Sequence, residues 1–118
     1  MYDERDFIYE EKDWKLFIKR IVLWQERHMQ RLNEEYISIL SKNDIASSKF
    51  WELEKRINKD KNHPGVQISR RRSSMFDNIF FLYKDNIIDD TDLEGFSELL
   101  IKDLKELLVI YQRNMGIE

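Results

Sequence analysis

The 118-residue chain has no cysteine, one proline, three glycines and two histidines. Without cysteine there is no disulfide framework, no thiol nucleophile and no zinc–thiolate site. Gly65, Gly95 and Gly116 are isolated, which excludes a glycine-rich loop cradling phosphate. His28 and His63 are not preceded three residues earlier by Glu, so the Glu-x-x-His pairs of di-iron bundles are missing, as is His-Glu-x-x-His. Long apolar runs are missing too. Ile79 to Tyr83 and Leu107 to Tyr111 are five residues each, against the ~20 a membrane span requires. Met1 to Glu11 is acidic and has no apolar stretch of the signal-peptide kind. These absences predict a cytoplasmic chain with no cofactor, no metal and no catalytic activity.

What is present is charge and helical periodicity. Charged residues make up 36% of the chain and hydrophobic residues 42%, and the apolar positions recur at three- and four-residue steps. Four helices are predicted, at about 13–41, 45–59, 70–86 and 90–114, with a linker at 60–68 around His63-Pro64-Gly65. Asp13 is the expected N-cap of the first helix, and Asp89 or Asp90 that of the fourth. Glu52 and Arg56 have the spacing of a helix ion pair. No internal repeat or strand-like alternation competes. The expected architecture is all-α: a single domain, 1–118, forming a small up-and-down bundle of about four helices. The last two should form an antiparallel hairpin that turns at Ile87 and Ile88, sets Phe80 against Phe96 and brings Arg72 near Asp103.

Asp90-Thr91-Asp92-Leu93-Glu94-Gly95 opens like a calcium loop, but the closing glutamate position holds Ile101. It reads instead as an acidic helix start. The charge distribution says more. Lys55, Arg56, Lys59, Lys61, Arg70, Arg71 and Arg72 face only Asp60 between positions 55 and 72. From Ser73 onward ten acids outnumber four bases. The basic segment is a candidate anion or partner surface, and Asp89, Asp90, Asp92, Glu94 and Glu98 form an acidic patch that could meet it in a second copy. Trp24, Trp51 and Phe81 fall off their helices' main apolar stripes and are candidates for an interface.

These features predict a small helical protein-interaction module, adaptor or regulatory in kind, that self-associates as a homodimer. The alternative is a nucleic-acid-binding regulator using residues 55–72. That segment lacks interleaved aromatics for base stacking, and the whole chain carries a net charge of −3. Neither membrane nor small-molecule binding is indicated.

Overall fold

A computed structural model describes residues 7–116. It has four helices, α1 (Glu11–Leu40), α2 (Ala46–Asp60), α3 (Arg72–Lys84) and α4 (Glu98–Asn114), and no strand among the described residues. The chain divides into two compact units, one of Met1–Ile21 with Ser69–Glu118 and one of Val22–Ile68.

In the first unit the apolar residues are spent on a core. Phe17, Ile21, Met75, Ile79, Leu82, Leu100 and Leu104 are all buried. Asp13 is buried with them, in the first turn of α1 rather than at its cap. Its carboxylate accepts from the Glu10 N–H at 3.3 Å, the backward bond of a capping box. It also accepts from the Ser97 N–H at 2.7 Å and the Ser97 hydroxyl at 2.6 Å. Ser97 in turn caps α4, its Oγ accepting from the Leu100 N–H. One buried acid therefore joins two helix starts.

The fourth helix begins at Glu98, eight residues later than expected. Asn86 explains where α3 stops. It adopts φ 61°, while the Ile87 N–H bonds back to Leu82 and the Asn86 N–H to Tyr83. That pair of bonds is a Schellman ending, and Asn tolerates the left-handed conformation it needs. Ile87 and Ile88, expected at an exposed turn, are buried instead.

Residues 85–97 are thus a loop that can reach roughly 40 Å, about twice the ~20 Å length of α3. A loop of that reach has no need to fold back as a tight hairpin, and the contacts differ from the expected register. The Phe80 ring meets Tyr111 at 6.0 Å, and Lys84 Nζ lies 4.9 Å over the same ring. Tyr9 stacks on Phe76 and donates to Asp103 at 2.8 Å. Arg72 pairs with Glu11 at 2.7 Å and covers Trp14, while Ser97 holds Asp13. Both α3 and α4 therefore start beside the first turn of α1, and their later turns meet. Phe80 does not face Phe96, nor Arg72 Asp103.

The second unit is built differently. The latter part of α1 and α2 run antiparallel, joined through polar side chains: Lys42 to Glu52 at 2.7 Å, Arg56 to Glu35 at 2.8 Å, and the Tyr36 hydroxyl to Asp60 at 2.6 Å. Glu52 bonds to Lys42 in the turn after α1 and Arg56 to Glu35 of α1, rather than to one another as the spacing suggested. Gln25 donates to the Pro64 carbonyl at 3.0 Å, tying the linker to α1. No residue of α2 is buried.

Candidate interaction surface

A 15-residue helix is only marginally stable in water unless an amphipathic face is packed. The half-buried positions of α2 are Lys49, Glu52, Leu53, Arg56 and Asp60. The apolar stripe, Ala46, Phe50, Leu53 and Ile57, is rotated away from that set. Helix α2 therefore turns a charged face to α1 and most of its apolar stripe outward. Phe50 is 61% exposed and Trp51 62%, their rings edge to face at 4.8 Å, and Ile45 and Ile57 are exposed with them. On α1, Ile37 and Leu40 are exposed as well.

Next to this stripe lies a cleft of about 400 Å³. Met29, Leu32, Tyr36, Ile57 and Val66 give it an apolar lining, and Glu26, Asn33, Asp60 and Lys61 are its polar groups. Helical spacing continues the cleft lining along both helices: Phe50 stands two turns before Ile57, and Leu40 one turn after Tyr36. Burial and the bond to Asp60 push the Tyr36 phenol up to about 12, so it remains a donor throughout the physiological range. Arg56 lies 5.8 Å over the Tyr36 ring, closing one wall.

The basic residues are divided between the two units. Arg56 is engaged by Glu35 and Asp60, and Arg72 by Glu11 and Trp14. Lys55, Lys59 and Lys61 are exposed on or just after α2, whereas Arg70 and Arg71 are exposed ahead of α3 and belong to the other unit. The acidic patch also differs from expectation. Only Glu98 lies in the first turn of α4. Asp89 accepts from Thr91 and from the Asp92 N–H, bonds that hold its carboxyl below the usual range, and Asp92 accepts from the Asp89 N–H. Asp90 accepts from the Tyr83 hydroxyl at 2.7 Å, and the carbonyls of Asp92 and Glu94 accept from Arg20. These acids stabilise their own loop.

Trp24 is 1% exposed and cannot be an interface residue. It lies off the outer stripe because it serves the interior. Phe81 is half-exposed, with Lys84 over its ring at 5.5 Å and Phe80 against its edge. Trp51 alone of the three aromatics stands open. Phe50, Ile57 and Leu40 were missed as surface residues, because a regular apolar stripe reads as core. The clue lay in Lys49, Glu52, Arg56 and Asp60, a second, charged stripe at the same helical spacing.

The two histidines, far apart in sequence, meet in this unit with ring centroids 5.9 Å apart. Burial lowers the His28 pKa from its ordinary value, and His63 lowers it further. His63 Nδ1 accepts from the Gly65 N–H at 2.9 Å, so it shapes the linker turn. Among the described residues no three His, Asp or Glu side chains gather where they could hold a metal ion, and no helix is long and apolar enough to cross a membrane. Comparison with protein-family models, with curated proteins and with solved structures finds no match for this chain.

Proposed function

We propose that this chain is a small, non-catalytic helical interaction module, cytoplasmic in setting, that self-associates through the outer face of α2 and the adjoining end of α1. One observation carries the reading: α2 buries no residue of its own while Ile45, Phe50, Trp51 and Ile57 are exposed along it. With Ile37 and Leu40, these side chains offer roughly 700 Å² of mainly apolar surface, close to the ~800 Å² per partner of a standard interface. Exposed apolar patches larger than a few hundred Å² mark interaction sites on soluble proteins. Aromatic residues at such a patch are the usual energetic anchors.

A charge-driven dimer has less support, since Arg72 and the 89–94 acids are engaged within their own unit. Self-association should therefore be insensitive to salt. Light scattering at tens of micromolar, in 50 mM and in 500 mM salt, tests this. A dimer at both salts supports the reading, and a monomer at both refutes it. Steeply salt-dependent binding to nucleic acid by a monomeric chain would favour the alternative use of Lys55, Lys59 and Lys61.

A further inference from the structure

The self-associating face has a projection on α2 and a recess between α2 and the adjoining part of α1. Phe50 and Trp51 project near the start of α2, and the cleft beside Ile57 opens near its end. They are seven residues apart, ~10 Å along the axis. A closed two-fold contact requires that if residue i meets residue j, then j of the first copy meets i of the second. One projection and one recess on one face satisfy that condition without further machinery.

We propose that the Phe50–Trp51 pair of one copy seats in the Ile57-lined cleft of a second copy, and reciprocally, about a two-fold axis crossing α2 at Leu53–Glu54. The inference rests on the self-association reading and gives it a register. At about 400 Å³ the cleft has room for two aromatic rings. Met29 supplies a thioether, which favours contact with a ring edge, and Leu32, Ile57 and Val66 supply aliphatic walls. Asn33 and Glu26 line the same cleft and can accept from an indole N–H, which a seated Trp51 would otherwise bury unpaired. The antiparallel register sets the two Glu54 side chains beside the axis, a like-charge pair that the seated rings must outweigh.

Complementation tests the seating. The variant Phe50→Ala/Trp51→Ala lacks the projection, and Asn33→Arg fills the recess; all three positions are exposed. Each variant alone should be monomeric by light scattering, with the wild-type helical signal by circular dichroism. Mixed one to one, they should recover a dimer holding one copy of each, because one of the two seatings is intact. If both are monomeric and the mixture stays so, the seating is wrong while self-association stands. If the variant without aromatics still dimerises, another face is used and the inference falls. A monomeric wild type removes both.

A second measurement leaves projection and recess untouched, and it decides the matter if either variant fails to fold. The chain has no cysteine. Under mild oxidation Glu54→Cys should cross-link into a dimer, being beside the axis. Ser47→Cys should not, because its symmetry mate lies ~20 Å away along the helix, beyond disulfide reach. Cross-linking at Ser47 and none at Glu54 would overturn the register.

Discussion

The two units of this chain differ in how much of their apolar surface is covered: the unit that holds α2 buries Trp24, Leu32 and Ile39 of α1 but no residue of α2. In the unit that holds α3 and α4, Phe17, Ile79, Leu100 and their neighbours are buried, and the polar groups inside are bonded: Asp13 to Ser97, Tyr9 to Asp103. In the unit that holds α2, charged and phenolic groups join the helices, and the large apolar side chains of α2 are on the outside. Surface ion pairs of that kind contribute ~0–1 kcal/mol each. The difference is what the proposal of self-association requires: one unit stabilised by its own interior, the other with an apolar face left for a second copy to cover.

The largest expected contrast comes from phenylalanine truncation in each unit. Phe17→Ala should destabilise by about 3–5 kcal/mol in denaturant melts, the usual cost of removing a buried ring. Phe50→Ala, measured where the chain is monomeric, should cost less than ~1 kcal/mol, as surface substitutions do. Equal costs would mean that Phe50 already has an intramolecular cover, and the contrast would be gone.

Asp13 sharpens the comparison next. Asp13→Ala leaves the Ser97 N–H and hydroxyl buried without their acceptor, a loss of about 2–3 kcal/mol from unsatisfied donors and a weakened cap. Asp60→Ala, which removes the partner of Tyr36 in the other unit, should cost about 1 kcal/mol, since water can replace it. Gly95→Ala follows at about 1–2 kcal/mol. Gly95 has φ +95°, and an added Cβ would stand 3.1 Å from Leu16 Cδ2.

The smallest effect is one of pH. Burial holds the His28 pKa below its ordinary 6.5, so the unfolded chain binds that proton more readily. The contribution is fully present above pH 6.5 and is lost as pH falls through the folded-state value. Wild-type stability should therefore decline on going below pH 6.5 more than that of His28→Gln. Identical pH profiles would show that His28 is solvated.

The helices were legible in the sequence because their apolar periodicity is strong: three lie within two residues of where the pattern put them, and the fourth starts eight residues late. The path of the chain between α3 and α4 was not. Asp89 to Glu94 has the composition of a helix first turn, but those acids bond to nearby backbone and hydroxyl groups instead, the competition that makes Asp a turn residue. Ile87 and Ile88 sat where a hairpin turn was expected, and nothing local says that they plug a core. The candidate surface was half legible. Trp51 stood off its stripe and is exposed, whereas Trp24 stood off its stripe and is buried. Periodicity ranks positions around one helix, but only tertiary packing determines which arc faces inward.

Hydrogen exchange across a concentration series tests the central claim most directly, because it reads both units in one sample. Between one and a few hundred micromolar, the amides of α2 should become progressively better protected, while those of α3 and α4 keep the same protection throughout. If α2 exchanges at a rate independent of concentration, no second copy covers it, and the account of this surface is wrong.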